Sequence, residues 1–209
     1  MVGTATKPQT RAKGQETARR VRKAALKRFA ASGYAAVSMR EIADDVGVRP
    51  GALYNHFPTK QDILKDLMLS HMSDLMSAWG AAHFPPEMDP LEQFVRFHIR
   101  YHLERTDEVF ISYMELRNLE PDNFAAVEAE RRRYETILTG ILDKGTAAGR
   151  YAVENPKVAT RAIIAMLTGI PTWYREGGRL SEQEIEDLYL TMVRKAIAPT
   201  QAHSQTEIG

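Results

Sequence analysis

The sequence predicts an all-α protein, on three observations. Apolar residues recur at three- and four-residue spacing, Pro, Gly and capping residues fall at helix-like intervals, and no run of alternating β-branched residues reads as a strand. The first helix is expected from about Gln15 to Ser32, where Ala18, Val21, Ala25 and Phe29 form one stripe and Gly33 is a natural stop. Ser38-Met39-Arg40-Glu41 reads as a capping box that opens a second helix carrying Ile42, Ala43 and Val46 and ending at Gly47. Arg49-Pro50 starts a short third helix, because Pro at the first helical position loses no bond. Thr59 with Asp62 caps a long fourth helix reaching Trp79 or beyond.

Beyond Pro85-Pro86 the punctuation repeats. Asp89-Pro90 with Glu92 starts a helix to about Arg105, and Asp107 starts another that ends before Pro121. A long helix is expected from about Asp122 to Gly149. Asn155-Pro156 starts the next, which meets Pro171 and ends near Gly177-Gly178, and Ser181-x-x-Glu184 caps a last helix to about Ala198. Residues 1–13 read as a disordered basic arm, 14–60 as a helix-turn-helix domain, 61–199 as a ligand-binding and dimerisation domain, and 200–209 as a flexible tail.

Composition narrows the function. The 209 residues contain no cysteine, which removes disulfides, thiolate nucleophiles and Cys-ligated metal centres together. No apolar stretch approaches the ~20 residues of a membrane span. The basic start (Lys7, Arg11, Lys13, Arg19, Arg20) has no apolar block behind it, so a cytoplasmic protein with no membrane partner is expected. The net charge of +1 hides an asymmetry: residues 1–60 carry +8 and the remainder −7. A basic head on an acidic body points the head at a polyanion.

Two short helices around a Gly-containing turn are a helix-turn-helix candidate. With Leu53 and Phe57 set against the core, helical geometry points Gly51, Ala52 and Asn55 outward and leaves Tyr54 and His56 on the flanks. A face of small residues around one Asn can approach DNA closely, and Asn bonds adenine or a phosphate. Tyr54, His56 and Lys60 suit phosphate oxygens.

The wording is more specific than the pattern. Ala25-Leu26-x-x-Phe29-Ala30-x-x-Gly33-Tyr34, Ser38-Met39-Arg40-Glu41-Ile42-Ala43, Val46-Gly47-Val48 and Gly51-x-Leu53-Tyr54-x-His56-Phe57-Pro58-x-Lys60 resemble the TetR family of bacterial transcriptional regulators, continuously over residues 15–64. The resemblance implies a recognition helix at 50–56, with Ser38, Arg40, Tyr54, His56 and Lys60 on the DNA backbone and Arg49, Ala52 and Asn55 toward base edges. Arg49 departs from the family, which usually has a small polar residue there; it either extends the base contacts or adds a phosphate clamp.

The same resemblance implies a non-enzymatic, ligand-responsive repressor that binds double-stranded operator DNA as a homodimer built from the last two helices and needs no cofactor. Ile163, Ile164, Leu167 and Ile170 on the first of these helices, and Ile185, Leu188, Tyr189 and Met192 on the second, supply apolar faces for core and partner. Tyr113-Met114-Glu115-Leu116-Arg117-Asn118-Leu119, Arg133-Tyr134-Glu135 and Trp173-Tyr174-Arg175-Glu176-Gly177-Gly178-Arg179-Leu180-Ser181 further resemble the branch that responds to acyl-CoA thioesters of fatty-acid or steroid breakdown. An apolar cavity is then expected among Phe94, Phe97, Tyr101, Phe110, Tyr113 and Met114, closed by Tyr134, Leu138, Met166 and Trp173. Arg96, Arg100, Arg117, Arg131 and Arg175 offer charge for phosphates at its mouth. The alternatives are a repressor of an efflux pump that senses a hydrophobic xenobiotic and, in another class, a helical metal-dependent enzyme using His98 and His102, one helical turn apart.

Overall fold

The computed structural model describes residues 7–199, with side chains from 14 onward. Nine α-helices occur among these residues: α1 (Lys7–Ser32), α2 (Met39–Val46), α3 (Pro50–Tyr54), α4 (Lys60–Ala81), α5 (Pro90–Leu103), α6 (Thr106–Met114), α7 (Pro121–Ala147), α8 (Pro156–Thr168) and α9 (Glu182–Ala196). Single 3₁₀ turns follow α6 and α8, at Leu116–Asn118 and Ile170–Thr172. The protein is all-α, and the described residues contain no strand.

The capping signals are realised. Ser38 and Glu41 form a reciprocal capping box on α2, and Ser181 and Glu184 form another on α9. Thr59 and Asp62 exchange the same bonds before α4. Gly47 closes α2 at φ 70°, a conformation that a Cβ would strain. Three boundaries differ from the periodicity. The first helix starts at Lys7, not Gln15, since Pro8 is tolerated in a first turn; residues 1–6 and 200–209 of the expected arm and tail lie outside the described residues. The third helix stops at Tyr54, with Asn55 as its cap. The eighth stops at Thr168 because Pro171 removes a donor and converts the continuation into a 3₁₀ turn.

The chain divides into two compact units. One holds everything up to Ala78 together with Arg105–Arg131; the other holds Trp79–Glu104 and Arg132 onward. In the first, Val21, Ala25 and Phe29 of α1 pack with Ile42, Ala43 and Val46 of α2, Leu53 of α3 and Ile63, Leu64 and Met68 of α4. Ile111 of α6 joins the same core, so α6 packs against α1. In the second, Phe94, His98, Tyr134 and Leu138 are buried between α5 and α7, and α9 lies along α5. An ion network fastens that last contact. The Glu186 carboxylate, 1% exposed, accepts from Arg96 (3.0 Å) and Arg100 (2.7 Å), while Arg96 also reaches Glu92 (2.8 Å) and Asp187 (2.7 Å). Partial burial alone would lower the Arg96 pKa, but its bonds to Glu92, Asp187 and Glu186 raise it overall.

Candidate functional site

The outward face of the helix-turn-helix is built by default, from what its inward face must bury. Leu53 and Phe57 are buried under α3, which leaves Gly51, Tyr54 and Asn55 exposed and Ala52 and His56 half-buried at the edges. Arg49 caps α3 with its backbone alone, so its side chain is exposed and uncommitted to the cap. Arg40 is exposed on the first turn of α2. Ser38 is exposed too, but its hydroxyl is bound to Glu41 as the cap of α2. Three other arginines of the head are ion-paired: Arg19 with Glu16, Arg22 with Asp66, and Arg28 with Asp45 and Glu41. Arg40 and Arg49 are exposed on α2 and at the start of α3.

Lys60 sits differently. Its ammonium donates to the carbonyls of Tyr34 (2.9 Å) and Val37 (2.7 Å) and lies 4.2 Å from the centre of the Tyr34 ring. Burial lowers its pKa. Two of its three donors are therefore spent tying the α1–α2 turn to the start of α4, a role that local spacing did not signal.

The same turn is tied to the segment after α6. Tyr34 N–H donates to Glu115 (3.1 Å), and Gln61 bridges the Tyr34 hydroxyl (3.0 Å) to the Asn118 carbonyl (2.6 Å). Glu115 and Gln61 were missed as functional candidates, since partners 81 and 57 positions away leave no local pattern.

The expected effector residues fall in both units. In the first, Phe110 and Met114 are exposed, Arg117 is exposed, and Tyr113 is half-buried with the Arg131 guanidinium 4.4 Å from its ring centre. In the second, Phe97 stacks on Tyr101 (5.7 Å) and meets Trp79 edge-on (5.1 Å), while Phe94 packs on Tyr134 (5.3 Å) beside fully buried Leu138. Met166 is half-buried on α8. Trp173 stands outside this cluster, half-exposed and stacked on Tyr189 of α9 at 6.4 Å. Arg175 is exposed and bonds backbone carbonyls of its own turn. Arg96 and Arg100, expected at the cavity mouth, are instead bound to carboxylates in the α5–α9 network.

His98 and His102 are both buried, with rings stacked at 3.9 Å. The two ring nitrogens of His98 bond the Tyr134 hydroxyl and the Thr168 hydroxyl, each at 3.0 Å, and His102 Nδ1 donates to the His98 carbonyl at 2.7 Å. These bonds engage both nitrogens of His98 and Nδ1 of His102, and no group of three possible metal ligands occurs among the described residues.

The comparisons decide the family. The family described as "Bacterial regulatory proteins, tetR family" matches residues 21–67, and "Tetracyclin repressor-like, C-terminal domain" matches residues 86–197, more than half of the chain. The chain belongs to the tetR family of bacterial regulatory proteins. The regulator is 26% identical over 180 residues to the HTH-type transcriptional repressor KstR2 of Mycolicibacterium smegmatis, covering 83% of this chain and 86% of that one. Among solved structures, a tetR-family regulatory protein from Rhodococcus RHA1 superposes with a TM-score of 0.79 at 29% identity, over 87% of this chain and 97% of that one. The complex of AibR with isovaleryl coenzyme A and operator DNA superposes with a TM-score of 0.72 at 23% identity, over 84% and 97%. As a member of this family, the regulator binds operator DNA as a dimer and responds to a small effector. No helix among the described residues is long and apolar enough to cross a membrane.

Proposed function

We propose that this regulator is a cytoplasmic repressor whose α3 enters the major groove of a palindromic operator and whose release is triggered by an acyl-CoA thioester. The DNA half rests on the exposed face of Gly51, Tyr54 and Asn55, flanked by the outward cations Arg40 and Arg49. Asn55 and Ala52 read base edges, Arg49 reaches either an adjacent base or its phosphate, and Ser38, Arg40, Tyr54 and His56 hold the backbone. The third donor of the Lys60 ammonium is left for a phosphate once Tyr34 and Val37 are satisfied. In this reading, residues 14–60 carry DNA binding and 61–199 carry ligand binding and dimerisation. Two heads must meet major-groove faces ~34–36 Å apart or a multiple of that.

The dimer half is supported by the apolar side chains that α8 and α9 leave outside: Val158, Leu188 and Met192 are each at least 45% exposed. The effector half is supported by the likeness to KstR2 and to AibR, and by the chemistry of the expected lining. Aromatic rings suit an acyl chain, while Arg117 and Arg175 present exposed guanidiniums to phosphates. A ligand shifts operator affinity only by its differential affinity for two states, so a ~100-fold release requires roughly 2.7 kcal/mol of coupling.

Gel-shift titration of regulator on the DNA flanking its own gene, with acyl-CoAs, free acids and neutral hydrophobic compounds, tests the reading. Trp173→Ala is expected to weaken the response by losing apolar contact and Arg175→Ala by losing phosphate pairing, both with operator binding in the absence of effector nearly intact. Release by a neutral compound and not by any acyl-CoA would overturn the thioester assignment.

A further inference from the structure

The second unit contains a cleft of about 410 Å³ between the end of α4, the first turns of α5 and the outer face of α7. That volume lies within the ~300–1,000 Å³ of small-molecule sites. Its floor is apolar, made by Trp79, Ile137, Gly140 and Ile141, and two cations, Lys144 and Arg150, stand at one end. The lining contains no carboxylate. Arg150 is steadied by Asp89, 2.8 Å away, and Lys144 is exposed one turn beyond Gly140 on the same face of α7.

Gly140 is the informative residue. It lies inside a 27-residue helix, where Gly costs stability and no turn, cap or left-handed backbone requires it. A Cβ built there meets nothing within 4 Å, so the missing side chain is not explained by packing. Five residues further, Gly145 shows the contrast: its Cβ would meet the Tyr151 ring at 2.0 Å, so there the small residue is sterically required. At Gly140 the space is kept open toward the cleft. Trp79, which shares the floor, packs edge-on against Phe94 and Phe97, which makes the floor continuous with the buried aromatic cluster.

We propose that this cleft binds an anionic amphiphile, with its apolar chain over Trp79, Ile137, Gly140 and Ile141 and its carboxylate or phosphate held by Lys144 and Arg150. The site adjoins the expected effector residue Phe97 through Trp79 and so extends the effector reading above, while its occupancy is measured without operator. Its occupants share one chemistry, a chain with an anionic head, available from a free acid or from a CoA thioester.

The test is direct binding to the full-length protein. The chain has two tryptophans, so a Trp173→Phe background leaves Trp79 as the sole indole reporter at the cleft wall. Decanoate, decanoyl-CoA and decanol are titrated while Trp79 emission is followed. At least one anion is expected to bind saturably, the free-acid and thioester arms showing which source the cleft takes. Gly140→Leu, which fills the floor and raises helix propensity, should weaken that binding by about ten-fold or more, with helical circular dichroism unchanged. Lys144→Glu, at an exposed position, should weaken the anion by roughly five-fold and leave decanol unaffected. The proposal is overturned if neither anion perturbs Trp79, or if Gly140→Leu and Lys144→Glu both bind the anion as tightly as the parent. Operator release is read separately, so the effector reading and this one fail independently.

Discussion

Leu188 on α9 is 49% exposed in the protomer, although it belongs to the apolar stripe of that helix. Full burial of a Leu side chain contributes roughly 2 kcal/mol, so covering the exposed half yields about 1 kcal/mol per copy. A two-fold interface counts the residue twice, which makes about 2 kcal/mol for the dimer. Leu188→Lys removes that contribution and sets two ammonium groups near the dyad. At 1.4 kcal/mol per decade the apolar loss alone weakens dimerisation by about 30-fold, and the charge adds to it unless the lysine stems carry their heads to solvent. Sedimentation velocity over a concentration series reads the dimer constant, and gel shift on the same samples reads operator affinity; both should fall together. The same charge at Asp143, exposed on α7, serves as the control and should change neither. An unaltered dimer constant for Leu188→Lys, or a monomer that still holds its operator tightly, refutes the assignment of this face.

Three further outcomes follow from the described geometry. About six phosphate contacts per complex should give a log–log salt slope near −5, with Asn55→Ala and Arg49→Ala altering preference among operator variants; equal affinity for operator and random DNA at physiological salt would contradict this. Lys60→Ala should cost about 2 kcal/mol of stability in the thermal unfolding of the protein as well as operator affinity, because it releases the Tyr34 and Val37 carbonyls and the Tyr34 ring; an unchanged melting temperature would leave Lys60 a phosphate contact alone. His71 on α4 is buried, and burial, followed by the charges of Arg105 and Arg131, lowers its pKa to about 4. The unfolded chain therefore binds the proton first: the stabilisation is complete above about pH 6.5 and is lost as pH falls toward 4, by about 3 kcal/mol in all. Urea unfolding of His71→Leu should lack this acid slope, and a slope equal to the parent's would assign it to other groups.

The sequence by itself determined the all-α class, the helix starts that capping residues mark, and the helix-turn-helix head. The capping signals are each complete within four residues, Ser38 with Glu41, Thr59 with Asp62 and Ser181 with Glu184, and the stripe of Val21, Ala25 and Phe29 repeats every four. The outward position of Gly51 and Asn55 followed from the same local geometry, since burying Leu53 and Phe57 leaves them no other side. Tertiary structure alone decided which charges are free to act. Arg100 looked available on its helix, and its partner Glu186 lies 86 positions away; His98 looked like half of a metal pair until Tyr134 and Thr168, 36 and 70 positions away, took its nitrogens. Tertiary structure also turned Lys60 inward onto carbonyls 26 and 23 residues earlier, and opened beside Gly140 a cleft whose Trp79 wall comes from another helix. A helical period records which face a residue occupies. The group that meets that face is set by how the helices pack, and it leaves no mark within a few residues of the position it satisfies.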